Sequence, residues 1–286
     1  MMIGREADAV PLADTVIVAA PSVRPRIGWL NDNLREASGN IRAAAAAGAR
    51  LIVLPELATS GYVFASPEEA RASSIRADDP RLRALGRHLP SDAIAVVGFA
   101  EVSGDRLFSS AAVLGRAGVI ATYRKTHLWG DEPRFFTAGS SAPPVVSTAV
   151  GRIGLAICYD LEFPEVPRSL ALAGADVIVA PVNWPVVSRP RGERIPEIML
   201  AMAAARASSV PIVISDRGDA ERGVAFAGGS CVIGHEGWLL STEPPQAETM
   251  VMATIDLAAG RSKALGTSNN VFTDRRPELY RRIGDR

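Results

Sequence analysis

Short aliphatic runs, each closed by a polar, proline or glycine break, recur along most of the chain. Residues 15–20 and 51–54 read as buried strands. Between them, Asn31 or Asp32 is placed to cap a helix that runs through an alanine tract to Gly48, a natural C-terminal stop. Residues 93–100, 107–114 and 119–123 read as consecutive strands, with turn signals Gly104-Asp105 and Ala117-Gly118 between them. Residues 125–139 are polar and aromatic and read as a loop. A strand over 153–157, a helix over 164–174 and a strand over 177–180 follow. A second helix is expected over 194–208, with Met199, Met202, Ala203 and Arg206 at helical spacing and the two methionines on its packing face. Strands over 211–215, 230–234 and 250–256 complete the pattern. Helices alternate with strands, yet several strands also run together. That suits an α/β fold of two sheets packed face to face with helices outside, a four-layer α-β-β-α sandwich.

Composition narrows the class. The chain has 286 residues, 48% of them hydrophobic, enough for a substantial core. Lysine and arginine number 31, aspartate and glutamate 31, and the formal net charge is +0. No electrostatic footprint for nucleic acid results. No apolar run has the length of a membrane span. Residues 1–14 lack the apolar segment of a secretory signal and read as a short, partly mobile leader. Residues 15–286 read as one domain, with a C-terminal arm over 266–286. There are two cysteines, Cys158 and Cys231. A thiol kept free for chemistry suits a reducing, cytoplasmic compartment.

Three of the aliphatic runs end in a reactive side chain. Leu51-Ile52-Val53-Leu54-Pro55-Glu56 ends in a carboxylate. Ala121-Thr122-Tyr123-Arg124-Lys125 ends in an ammonium. Ile153-Gly154-Leu155-Ala156-Ile157-Cys158 ends in a thiol. Strand ends are rigid places from which to aim a group into a cleft. A base, a cation and a nucleophile so aimed suit a covalent hydrolase. Each residue has a plainer reading. A lone cysteine is more often core, a glutamate after a strand is more often a solvated loop residue, and a lysine beside an arginine is more often surface.

The context of these residues resembles one family. Pro55-Glu56 with Ser60-Gly61-Tyr62, then Tyr123-Arg124-Lys125-Thr126-His127-Leu128, then Cys158-Tyr159-Asp160-Leu161-Glu162-Phe163-Pro164-Glu165 look like the Glu-Lys-Cys signature of the nitrilase superfamily, the carbon-nitrogen hydrolases. The tail Asp274-Arg275-Arg276-Pro277-Glu278-Leu279-Tyr280 is similar to tails of the amidase branch. The resemblance implies the four-layer sandwich, Cys158 as nucleophile, Glu56 as general base, and Lys125 with the Tyr159 backbone N–H at the oxyanion. It implies an auxiliary acid in the loop after Lys125. Glu132 is placed ahead of Asp131 for that part. A helix N-terminus and a cation beside Cys158 are expected to favour its thiolate.

Tyr62, Trp129, Asn183 and Trp184 are candidates for the pocket wall, or for plugs against a partner subunit. The histidines lack metal-ligand spacing and Gly228-Gly229 lacks the context of a phosphate loop, so no metal or other cofactor is expected. Cys231 reads as core. The expected partners are a small amide substrate and a second copy of the chain, in a homodimer or higher homo-oligomer. Cys158-Tyr159-Asp160 differs from the Cys-Trp-Glu usual in true nitrilases and from the Asn-Asp-Arg-Arg after the cysteine in carbamoylases. The expected reaction is hydrolysis of a small linear carboxamide, and the cysteine context and tail look most like amidases of ω-amino-amides such as 5-aminopentanamide. The alternatives are an N-carbamoyl hydrolase, a nitrilase, or a fold kept as a binding or scaffold module.

Overall fold

The computed structural model describes residues 14–241 and 250–280. Residues 1–13 of the expected leader and the last six residues of the expected arm lie outside them. In chain order the elements are β1 (Thr15–Pro21), α1 (Leu30–Ala46), β2 (Leu51–Val53), α2 (Pro67–Ala72), α3 (Pro80–Ala84), β3 (Ile94–Ser103), β4 (Arg106–Gly115), β5 (Gly118–Arg124), β6 (Val145–Thr148) and β7 (Gly151–Leu155). Then come α4 (Glu165–Leu172), β8 (Val177–Pro181), α5 (Pro196–Ser208), β9 (Ile212–Ser215), β10 (Ala220–Glu221), β11 (Val224–Ala225), β12 (Cys231–Ile233), β13 (Met250–Asp256), α6 (Leu257–Ser262) and α7 (Pro277–Tyr280).

Two mixed sheets form. The first has the order β13-β1-β2-β3-β4-β5 and the second β12-β9-β8-β7-β6. In each, three neighbouring strands run parallel: β1, β2 and β3 in one, β7, β8 and β9 in the other. Antiparallel strands complete both edges. Side chains alternate across a strand, so each sheet feeds two apolar layers. Leu51 and Val53 of β2 face the second sheet, in a cluster with Ile153, Leu155 and Val179. Ile52 faces outward with Ala37, Ile41 and Ala44 of α1. Ile198, Ala201 and Ala205 of α5 and Leu170 of α4 join the cluster around the second sheet. The result is the expected four-layer sandwich. Among the described residues no helix is long and apolar enough to cross a membrane.

Several local expectations change. Helix α1 starts at Leu30 after Trp29, which makes no side-chain cap, so neither Asn31 nor Asp32 caps it. Asn33 is spent elsewhere: its amide donates to Arg26 O and Thr59 O and closes the chain entering the helix. On α5 the buried stripe is Ile198, Ala201, Ala205 and Ser208, and Met199 is exposed. The sheet turns the small residues inward because they allow close approach. Helices α2 and α3 are additions to the sequence reading. Both begin with the capped Ser66-Pro67 and Asp79-Pro80 pairs, a signal that was legible. Strand β6 and the β10–β11 hairpin are also additions, too short to carry a periodicity.

Candidate active site

Strands β2, β5 and β7 end at the same edge of the sandwich and deliver Glu56, Lys125 and Cys158. Glu56 follows β2 and is fully buried. The turn beyond it forces Leu57 to φ 50, left-handed for a non-glycine residue. This turn lies directly on β3 at Gly98. A Cβ there would sit 2.3 Å from Pro55 O and 2.6 Å from Glu56 Cα, so only glycine leaves room.

Lys125 follows β5 and is also fully buried. Its backbone is pinned on both sides, donating to Ser109 O (2.9 Å) and accepting from Gly139 N (2.7 Å). Its ammonium donates to Glu56 Oε1 (2.9 Å) and to both oxygens of Glu132 (2.7 and 2.8 Å). Glu132 starts a short 3₁₀ turn, Glu132–Arg134, and is buried. It also accepts from the Tyr62 hydroxyl (2.7 Å) and the Trp129 backbone N–H (3.0 Å). Its rival Asp131 points outward, 80% exposed, with Arg134 at 3.5 Å. Ser109 Oγ donates to Glu56 Oε1 (2.9 Å). Glu56 Oε2 is buried and has no hydrogen-bond partner among the described residues. An unsatisfied buried carboxylate oxygen costs free energy and is a ready proton acceptor.

Cys158 follows β7 at φ 48, a second left-handed non-glycine position. Such strain collects where surrounding structure over-determines the backbone. Here Asp160 does so. Fully buried, it accepts from Ile157 N (3.0 Å), His127 N (3.1 Å), Thr126 Oγ1 (3.0 Å) and the Tyr123 hydroxyl (2.8 Å), and lies 2.7 Å from His127 Nδ1. One carboxylate thus ties the turn that carries Cys158 to the segment that carries Lys125. The Asn183 backbone N–H opposes the upward shift of the Cys158 thiol. The Asn183 side-chain amide donates to Glu56 O (2.8 Å).

Burial dominates the electrostatics. It lifts the Glu56 carboxyl from its ordinary value to about 7, with Lys125 pulling down and Glu132 pushing up. Burial alone would lower Lys125, but the Glu56 and Glu132 carboxylates outweigh it and keep the ammonium charged. The Cys158 thiol is pushed well up by burial and by Glu56, against the opposing pull of Lys125. The expectation of a resting thiolate is therefore corrected. A 3₁₀ turn, Cys158–Glu162, separates the sulfur from α4, and burial with Glu56 and Glu132 outweighs the pull of Lys125. Tyr62 is raised by burial and by the same anions, so its phenol stays protonated and donates.

A cavity of about 360 Å³ opens beside Glu132. Tyr62 and Trp129 line it. Asn183 and Trp184 do not. Both are buried behind the wall, Asn183 against the Glu56 backbone and Trp184 in the apolar core with its ring on Gly229. Tyr159 is half-buried, edge-on to Phe163 at 5.0 Å, and is likewise outside the lining. The sequence reading missed Ser109, the tie made by Asp160, and the β10–β11 hairpin. Glu221 of that hairpin accepts from Tyr62 N and Val63 N, both at 2.8 Å, and Arg222 pairs with Glu69 at 2.6 Å. Only long-range packing brings these groups to the site. Cys231 lies buried in β12.

Fold and site together define a hydrolase architecture with a buried cysteine, lysine and two glutamates, and comparison with known proteins gives the family. The carbon-nitrogen hydrolase family model matches residues 17–264. A protein named nitrilase from Pyrococcus abyssi is 35% identical over 93% of this chain and 99% of its own length. An (R)-stereoselective amidase from Pseudomonas sp. is 30% identical over 83% of each chain. An N-carbamoylputrescine amidase from Solanum lycopersicum is 28% identical over 88% of this chain and 89% of its own. Among solved structures, an amidase from Nesterenkonia sp. superposes with a TM-score of 0.77 at 25% identity, covering 97% of this chain and 100% of that one. A glutamate-to-glutamine mutant of the Nesterenkonia sp. AN1 amidase (TM-score 0.75, 26% identity, 96% and 99% covered) shows the acetamide moiety of fluoroacetamide covalently added at its active-site cysteine. The chain belongs to the carbon-nitrogen hydrolase family.

Proposed function

We propose that this hydrolase is an amidase that converts a small linear carboxamide to a carboxylic acid and ammonia through a thioester on Cys158. The carrying observation is the Lys125 ammonium held between Glu56 and Glu132, with Glu56 Oε2 left free beside a strained, buried cysteine. In this reading Glu56 takes the thiol proton as Sγ attacks the amide carbon. A neutral thiol suits a partner base titrating near 7. Two of the Lys125 bonds go to one carboxylate, so one N–H suffices for Glu132 and another turns to the oxyanion with the Tyr159 backbone N–H. The C–N bond then breaks and Glu56 returns the proton to the leaving nitrogen, releasing ammonia. Water gives a proton to Glu56 and attacks the thioester. The acid leaves, and the thiol is restored. Glu132 positions Lys125 throughout. The acetamide moiety carried by the cysteine of the Nesterenkonia amidase shows that cysteine to be nucleophilic, which supports Cys158 as the attacking group here.

Ammonia release from a panel of amides, N-carbamoyl amines and nitriles tests the reading. Cys158→Ala is expected to fold and to lose turnover by at least about 10³-fold, and intact mass should reveal an acyl adduct on the wild type. Wild-type rates in Cys158→Ala, or turnover of nitriles alone, would overturn it. N-carbamoyl amines are the second reading, favoured by the Solanum relative.

A further inference from the structure

We propose that the acyl group this site accepts is uncharged and apolar, an alkyl or arylalkyl chain, rather than one ending in an ammonium or a carboxylate. This rests on the amidase reading above and names its substrate class. Tyr62 and Glu132 line the cavity and both lie within electrostatic reach of Cys158, and on this reading the cavity takes the acyl chain. Pro185, two residues beyond Asn183, forms part of its wall, and so does Tyr62, whose hydroxyl donates to Glu132. Phe64, which meets Phe135 and Phe136 edge to face at 5.9 and 6.0 Å, makes up the apolar wall with those two rings, Val63 and Val224, and the segment Trp129-Gly130-Asp131 completes the lining. The volume of about 360 Å³ is at the small end for ligand sites.

Among the described residues of the lining, no charged group is left without a partner. Glu132 is the buried carboxylate of the lining, and its oxygens already take Lys125, Tyr62 and the Trp129 N–H. Asp131 stands at the rim, 80% exposed and across from Arg134, which is 65% exposed. Exposed, mutually compensated charges offer little to a ligand ion. An ω-ammonium would lose its hydration against phenylalanine rings, and the one buried carboxylate of the described lining, Glu132, already has its oxygens occupied. An ω-carboxylate would in addition approach Glu132. The apolar wall is also a built feature. The β10–β11 hairpin carries Val224 to the cavity and holds the opposite segment through Glu221 on the Tyr62 and Val63 N–H groups. The resemblance to amidases of ω-amino-amides therefore does not extend to the acyl pocket.

The test compares isosteres on the wild-type enzyme: hexanamide, 5-aminopentanamide, in which an ammonium replaces the terminal methyl, and 5-amino-5-oxopentanoate, with 3-phenylpropanamide as the arylalkyl probe. Hexanamide and 3-phenylpropanamide are expected to exceed both charged amides in kcat/KM by at least tenfold. Val224→Glu places a carboxylate in the wall and should shift the ratio of 5-aminopentanamide to hexanamide upward by at least threefold. Equal or better turnover of 5-aminopentanamide by the wild type would overturn the inference and leave the amidase reading standing. An unmoved ratio in a folded Val224→Glu would show that the wall does not touch the chain, and would overturn it too. Ammonia released from none of the four, but from nitriles, would instead overturn the amidase reading itself.

Discussion

Glu56 carries the pH dependence. A solvated glutamate stays ionised far below neutrality, but burial lifts this one to about 7, and it accepts a proton only when ionised. kcat/KM is therefore expected to fall as pH drops through about 7, approaching tenfold per unit below it. A pH–rate profile measured by ammonia release checks this; an acid limb near 4.5 would contradict it. Glu132 is one of the groups that raise Glu56. Glu132→Gln should thus move the acid limb of the residual activity to lower pH while cutting the rate by about 10²-fold, because Lys125 loses its main acceptor. At this scale Glu56, Lys125 and Cys158 were legible as strand-end residues. Ser109 was not, because a serine on an apolar strand carries no signal until a carboxylate lies 2.9 Å from it.

At the scale of elements, two close approaches hold the strand ends in place. Strand β3 touches the Glu56 turn at Gly98, where an added Cβ meets backbone that cannot give way. Gly98→Ala is expected to cost about 1–3 kcal/mol of stability, the usual penalty of overpacking, and to lower kcat/KM at least tenfold by displacing Glu56. Denaturant unfolding together with kinetics reads both effects; a variant of wild-type rate and stability would show that the turn relaxes freely. The other approach is Asp160, which joins the end of β5 to the end of β7. Asp160→Ala leaves several buried donors without an acceptor, so a loss of about 3 kcal/mol or more is expected, with activity falling alongside. Urea unfolding measures it, and a change below 1 kcal/mol would deny the tie. The motif Cys158-Tyr159-Asp160 drew attention for its first residue. The third binds the two segments, which pairing of distant strands alone reveals.

For the whole molecule, the two halves of the arm differ. Phe272 lies beneath Arg168 (4.9 Å) and Lys263 (5.1 Å) of its own chain, and Val271 O accepts from Arg168. That half of the arm folds back on its own subunit. Leu279 and Tyr280 are exposed and remain available to a neighbour. The expected assembly in solution is a homodimer or larger homo-oligomer. Removing residues after Gly266 should lower the melting temperature by several degrees, since a half-buried aromatic and its cation contacts are lost. Light scattering of both forms reads the assembly: a monomeric full-length protein ends the dimer expectation, and a truncated form that still pairs moves the contact away from the arm.

The linear pattern of apolar runs was enough for the layers, because strand and helix periods are local properties of the chain. It marked Glu56, Lys125 and Cys158 as strand-end candidates too, and the family motifs around them set these above the plainer readings. Tertiary structure alone decided what surrounds them. Helix α1 starts one residue before its expected caps, because Asn33 is drawn to Arg26 and Thr59 instead. Asn183 and Trp184 turn inward, because Glu56 O needs a donor and Gly229 leaves space for a ring. The thiol is pushed up, because burial and two carboxylates outweigh one ammonium. Each of these is a balance among residues far apart in sequence, struck only when the two sheets bring them into one buried volume.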